Sequence, residues 1–192
     1  QAALTIQRSL LLERRRHLEQ LAALDSLTGV NNQRYFFEVG EKEFKRARRY
    51  RRPLSGLMLD IHDFRQYNER YGHAVGDQVL EHAAAVIAAQ ARRADSVGRY
   101  GGDEFIIVAP QSTLAGAAQA AERLRLAMEA EHIHARASNL RVTLSIGVAA
   151  SSITATAIRI AATITGVWLA MPTAVITESS ENTISITAIC AI

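Results

Sequence analysis

Ser96-Val97-Gly98-Arg99-Tyr100-Gly101-Gly102-Asp103-Glu104-Phe105-Ile106-Ile107-Val108-Ala109-Pro110 is the stretch on which the fold turns. Two runs, 96–100 and 105–110, flank a pair of glycines, and that spacing predicts a β-hairpin. Asp103 and Glu104 stand at its tip. Upstream, Leu54-Ser55-Gly56-Leu57-Met58-Leu59 is a short apolar run consistent with a buried strand that delivers Asp60 at its end. A carboxylate at a strand end and another on a neighbouring hairpin can share a hard cation. Oxygen ligands suit Mg²⁺, which takes one or two carboxylates and completes its shell with water and substrate phosphates. Gly101 and Gly102 leave room for backbone and phosphate to approach. Acidic hairpin tips are also common as plain solvated turns, and spacing alone favours that simpler account.

Outward from the hairpin, the pattern alternates. A helix is expected over about 113–131, with Ala117, Ala121, Leu124 and Met128 in register. Val142, Leu144, Ile146 and Val148 alternate with small or polar residues, as in a half-buried strand. On the other side, a helix over about 76–93 places Val79, Leu80, Ala83, Val86 and Ile87 on one face, with Asp77 in its first turn. The segment between Asp60 and that helix reads as a polar loop. A helix over roughly 32–51, capped by Asn32 and ended by Pro53, aligns Phe37, Gly40, Phe44 and Ala47. Its basic run, Lys45 to Arg52, reads as a solvated face. Asp25-Ser26-Leu27-Thr28-Gly29 is a turn before it. The order helix, strand, helix, hairpin, helix, strand predicts one α/β (α+β) domain over 25–150, a mixed, largely antiparallel sheet flanked by helices.

Residues 1–24 form a further predicted helix, with Leu4, Leu11 and Leu18 seven residues apart and Arg14 interrupting the seam. It is either an ordinary amphipathic helix or the end of a dimerising stalk. The chain has 192 residues, and 48% are hydrophobic, enough for a sizeable core and against overall disorder. A single cysteine, Cys190, excludes an internal disulfide framework and a cysteine-based zinc finger. A net charge of +3 gives no argument for nucleic acid or membrane binding. The chain starts at Gln1 without a signal peptide and reads as a piece of something longer. Residues 151–192 differ in composition: their only charged residues are Arg159, Glu178 and Glu181.

Arg99-Tyr100-Gly101-Gly102-Asp103-Glu104-Phe105 resembles the signature hairpin of the GGDEF family, the diguanylate cyclases. Other segments resemble that family in order and at its spacing: Asp25-Ser26-Leu27-Thr28-Gly29-Val30-Asn31-Asn32, Asp60-Ile61-His62-Asp63-Phe64, Asn68, Tyr71-Gly72-His73, Gly76-Asp77, and Thr143–Val148. The match covers about residues 24–150. It implies a nucleotidyl-cyclase or palm-like fold. It further implies condensation of two GTP molecules into cyclic di-GMP with release of two pyrophosphates, dependent on Mg²⁺ or Mn²⁺. Each active site needs two domains facing each other, so a homodimer is expected, driven by an upstream sensory domain. The protein is expected to be a cytoplasmic domain, with a membrane-associated sensor as one form the full-length protein could take.

Residue by residue, the resemblance makes Asp60 and Asp103 metal ligands through their side chains, and Ile61 through its carbonyl oxygen. Glu104, with Asp103, is catalytic and assists the attacking hydroxyl. Backbone amides around Phe64 face phosphate, and Arg65 is a phosphate contact or a surface charge. Asn68 and Asp77 match guanine-reading positions, and His73 the nucleotide-site histidine. A carboxylate suits the N1–H and N2–H₂ donors of guanine. Arg92 and Asp95 match the family's RxxD inhibitory motif, which binds the cyclic product away from the active site. Three departures stand out. His62 replaces the usual Asp, Glu69 replaces another, and the tail lacks the family's last helix with its Lys and Arg. The tail leaves a second reading open, a weak or inactive module that binds GTP or cyclic di-GMP and regulates a partner. If the tail is literal, the sheet is expected to lack a strand. A third reading, a dimerisation piece alone, is opposed by the intact acidic set.

Overall fold

The computed structural model describes residues 23–135, 138–151, 175–176 and 186–189. The predicted helix over 1–24 falls outside these except at Ala23 and Leu24, where a turn and a bridge to Asn31 stand instead.

Alternation along the strands builds three layers. In β1 (Leu54–Ile61), Leu57, Leu59 and Ile61 face one way, into the larger core, while Leu54 and Met58 face the other. In β3 (Glu104–Pro110), Phe105, Ile107 and Ala109 join the larger core, and Ile106 and Val108 join the smaller one. A strand buried on both faces needs a near-continuous apolar run, which Phe105–Ala109 supplies and Leu54–Leu59 supplies except at Ser55, whose hydroxyl donates to the Ser112 carbonyl at 2.8 Å. The larger core is closed by α3 (His73–Gln90) and α4 (Leu114–Ala130), through Val79, Ala83 and Ile87 and through Ala117, Ala121, Leu124 and Met128. The smaller core is closed by α1 (Gln33–Tyr50).

The sheet runs β2 (Ser96–Arg99), β3, β1, β6 (Leu144–Ser151), β8 (Ile186–Ile189), β7 (Val175–Ile176). Among the described residues every ladder in it is antiparallel, and the parallel component is one isolated bridge between Asn31 and Gly98. A separate pair, β4 (Ile133–Ala135) with β5 (Ser138–Leu140), lies between α4 and β6.

The elements expected within 25–150 are present, with five departures there and in the tail. On α1 the buried aromatic is Phe36, 2% exposed, and Phe37 is 42% exposed. Phe36 shares its face with Gly40, Phe44 and Ala47 through four- and three-residue steps, and its ring lies over Gly98, where an added Cβ would come within 2.6 Å of Cδ2. The segment read as a polar loop contains α2 (Phe64–Tyr71), and α3 begins at His73 rather than near Gly76. The β4–β5 pair was not expected. A strand, β8, does stand at the edge of β6, with Ile189 opposite Ile146 and Ile186 opposite Ala149.

Helix ends follow sequence chemistry. Asn32 caps α1, its Oδ1 accepting from the Tyr35 amide at 2.9 Å, and Thr113 caps α4 by accepting from the Gly116 amide at 3.3 Å. Arg51, at φ 51°, ends α1 two residues before Pro53.

Candidate active site

β1 and β3 together place the acidic groups. Their register sets Asp60 opposite Glu104, and the Ile61 amide donates to the Asp103 carbonyl at 3.3 Å. The tip is closed by the Tyr100 and Gly101 amides, which both donate to the Glu104 carbonyl, at 2.8 and 3.3 Å. Asp60, Asp103 and Glu104 are all partly buried. Burial first, then the charges of Asp103 and Glu104, push the Asp60 carboxyl up to about 6, against a smaller opposing effect of His62. Burial, then Asp103, also raises Glu104 above its ordinary value. Asp103 and Glu104 thus repel the Asp60 charge and His62 opposes them only in part, a repulsion that a bound divalent ion would relieve. Among the described residues, no group of three or more His, Cys, Asp or Glu side chains could hold a metal ion. Mg²⁺ does not require one, because two carboxylates, a carbonyl and phosphate oxygens suit its shell. Asp60, Asp103 and the Ile61 carbonyl offer the oxygen donor types that the ion suggested by the sequence takes.

The predicted nucleotide-binding residues lie on α2 and α3. Phe64 and Asn68 are partly buried on the side of α2 that meets α3. Their approach depends on Gly76, where an added Cβ would overlap the Asn68 side-chain oxygen and stand 3.3 Å from the Phe64 ring. Asp77 follows Gly76 in the chain and is exposed, as is His73 one turn earlier. Arg65 is exposed and its Nε donates to Glu69 at 2.8 Å, so the Glu at this departure from the family pattern holds the predicted phosphate contact. At the other departure, His62 pairs with Asp63 at 3.2 Å, and the Asp63 carboxylate also accepts from Gln66 at 3.0 Å. Asp63 is thus engaged locally and does not take the place of the Asp that His62 replaces.

Arg92 and Asp95 fold into a tight turn after α3. The Arg92 amide donates to the Asp95 carboxylate at 2.8 Å, and the Asp95 amide donates back to the Arg92 carbonyl at 2.9 Å. The Arg92 side chain is left exposed. A cavity of about 290 Å³ lies elsewhere, lined by α2 and the β5–β6 connection, and it takes in none of the predicted site residues.

The sequence reading gives no role to the Asp25–Arg99 pair. Arg99 reaches past its own strand: Nη1 meets Asp25 Oδ1 at 3.1 Å, Nε donates to the Gly101 and Gly102 carbonyls at 3.1 and 3.2 Å, and Nη2 donates to the Gly102 carbonyl at 2.6 Å. The signal was available, since both residues sit in quoted motifs, but spacing cannot show that the motifs touch.

The family model described as "Diguanylate cyclase, GGDEF domain" matches residues 22–163. The chain belongs to the GGDEF domain family. This GGDEF domain is 39% identical over 139 residues to the response regulator PleD of Caulobacter vibrioides, covering 71% of this chain and 30% of that protein. It therefore spans less than a third of that relative's length. Among solved structures it resembles the diguanylate cyclase SiaD of Pseudomonas aeruginosa, in complex with its activator SiaC, at 31% identity and a TM-score of 0.70, covering 81% of this chain and 60% of that one. It also resembles the coiled coil and GGDEF domain of DgcB from Caulobacter crescentus, in complex with c-di-GMP, at 28% identity and a TM-score of 0.69, covering 79% of this chain and 83% of that one. Among the described residues of this GGDEF domain, no helix is long and apolar enough to cross a membrane.

Proposed function

We propose that this domain is a diguanylate cyclase, joining two GTP molecules into cyclic di-GMP. The observation that carries the reading is the facing of Asp60 by Glu104 across the β1–β3 ladder, with Asp103 at the tip and the Asp60 carboxyl raised to about 6. Carboxylates crowded together against burial and mutual repulsion are stored for a cation.

In this reading each 3′-hydroxyl oxygen bonds to the α-phosphorus of the facing nucleotide. The bond from that phosphorus to the bridging oxygen of pyrophosphate breaks. Two such transfers release two pyrophosphates and leave a cyclic dinucleotide. Alignment and charge neutralisation dominate phosphoryl chemistry of this kind. When bound, Mg²⁺ or Mn²⁺ held by Asp60, Asp103 and the Ile61 carbonyl supplies charge neutralisation at the phosphates. Glu104, raised toward neutrality by burial and by Asp103, receives the hydroxyl proton. Asn68 and Asp77 read the guanine edge, with His73 beside the nucleotide and backbone amides near Phe64 on phosphate. Arg65 releases Glu69 to meet the phosphates. Arg92 and Asp95 hold the cyclic product at a distance from the chemistry. The domain works as a homodimer under an upstream sensory segment, inside the cell, where GTP is found.

A second reading, a binding module without turnover, is favoured by one observation: residues 151–192 contain no Lys and a single Arg, so that stretch offers little to neutralise phosphate. The test is incubation with GTP and Mg²⁺ followed by chromatography for cyclic di-GMP. Product is expected from the unaltered chain. Asp103→Asn and Glu104→Gln are each expected to reduce the rate by on the order of a hundredfold or more, with unchanged thermal unfolding. Product formation undiminished in both variants sinks the mechanism. No product from the unaltered chain, with retained cyclic di-GMP binding, transfers the function to the module.

A further inference from the structure

The catalytic hairpin is not held by its own turn alone. The Gly101 and Gly102 carbonyls, the two immediately before Asp103, both accept from the Arg99 guanidinium, and the same guanidinium meets Asp25, a residue 74 positions earlier. Asp25 is itself fixed. Its Oδ1 accepts from the Thr28 amide at 2.9 Å and from the Thr28 hydroxyl at 2.7 Å, and its backbone exchanges bonds with Val30 and Gly29 at 2.8 and 2.9 Å. The turn that carries it is tied to β2 through Asn31: the Asn31 amide and side chain both donate to the Val97 carbonyl, and the Arg99 amide donates to the Asn31 carbonyl at 2.8 Å. Both charged side chains of the pair are partly buried, at 16% and 22% exposure, so the bonds are charge-assisted and partly shielded from water.

We propose that Asp25 and Arg99 are positioning residues that clamp the hairpin tip to the turn at the start of the domain, so that any displacement of that turn is delivered to Asp103 and Glu104. The planar fork is essential. Only a guanidinium can meet a carboxylate with one nitrogen while two others hold successive carbonyls. The consequence is directional. Residues 23–32 are where the chain enters the fold, and a pull or twist applied upstream of Ala23 acts first on Asp25. Because the clamp ends on the backbone of the tip, the response is a shift of the carboxylates as a group rather than a loss of any one of them. Reaction geometry is sensitive to displacements well under the size of an atom.

The activity arm of this inference rests on the cyclase reading; the structural arm does not. The structural arm is amide hydrogen exchange on the metal-free full chain. Arg99→Lys retains the charge for Asp25 but loses the fork. Its Ile61, Tyr100 and Gly101 amides, which bond to the Asp103 and Glu104 carbonyls, are expected to exchange about tenfold faster. Met58 and Ile106, deep in the β1–β3 ladder, report global folding and stay unchanged. Asp25→Asn leaves Arg99 intact and is expected to accelerate the same three tip amides about threefold, the sign that the effect travels between elements. In the activity arm, both variants lower kcat by about tenfold with KM for GTP within about twofold, since the groups that read the nucleotide are untouched. Wild-type exchange at the tip in both variants overturns the clamp. Should Arg99→Lys also accelerate Ile106, the Asp25→Asn profile decides. If the unaltered chain makes no cyclic di-GMP, the cyclase reading fails, and the exchange profiles still decide the clamp.

Discussion

Asp60 carries its charge at a cost. It is half-buried near the end of a core strand, with two further carboxylates facing it and only His62 to offset them. Its folded value of about 6 lies above the ordinary 3.8, so between those limits the folded chain holds a proton that the unfolded chain releases. Stability from this group is therefore present at low pH and falls as pH rises through that window. Asp60→Asn is expected to stabilise the metal-free domain at pH 7 by about 1 kcal/mol, a figure reduced for the group's partial exposure. Thermal unfolding in excess chelator should rise by roughly 2–4 °C, while cyclase activity is lost. A lower midpoint would mean that the carboxylate is satisfied by the protein itself. Asp25 has the opposite sign. Burial raises it, but the bonds from Thr28 and Arg99 together bring it below 3.8. Its contribution is complete above the ordinary value and is lost as pH falls through the lowered one. In Asp25→Asn the acid limb of the unfolding-midpoint profile should flatten, and an unchanged limb would show that the pairing contributes nothing to folding.

Helices α2 and α3 carry the residues proposed to read guanine, and Gly76 sets their spacing. Gly76→Ala gains helix propensity of about 1 kcal/mol, yet its Cβ would collide with the end of the Asn68 side chain. The domain should therefore unfold at a similar temperature while KM for GTP rises about tenfold through loss of one hydrogen bond to guanine. An unchanged KM would remove Asn68 from the guanine site. This pair of helices also marks the limit of what the sequence discloses. The strands were legible because β1 and β3 are buried on both faces and are mostly apolar, and α4 because Ala117, Ala121, Leu124 and Met128 keep one face. In contrast, α2 has no fully buried residue. Its stability comes from Phe64 and Tyr67 lying against the core and from the Tyr67 hydroxyl donating to the Arg141 carbonyl at 2.6 Å, so polarity made it read as a loop. Periodicity on α1 was real, but Phe36 and Phe37 are adjacent aromatics and the pattern cannot choose between them. Gly98 made the choice, by leaving space for one ring. The acidic positions were legible only through the motif, because the closeness of Asp60 to Glu104 is a property of strand register.

At the scale of the whole molecule the proposed reaction makes the domain half of a reaction centre. It carries one set of Asp60, Asp103 and Glu104, and one set of residues proposed for guanine, while the proposed product joins two nucleotides by two equivalent bonds. Two chains must then meet face to face, and the rate per chain must depend on how often they do. Specific activity is expected to rise in proportion to protein concentration when chains are dilute, and to level off once the dimer is saturated. A mixing experiment separates this from simple loss of protein at low concentration. Excess Asp103→Asn chain, folded but unable to complete the cation site, should capture wild-type chains in mixed pairs that cannot close the second bond. Cyclic product per wild-type chain should fall toward zero as the variant is added, with the linear dinucleotide as the species that remains. Constant activity per chain across dilution, undisturbed by the variant, would mean that a single domain completes both transfers, and the face-to-face arrangement would have to be abandoned.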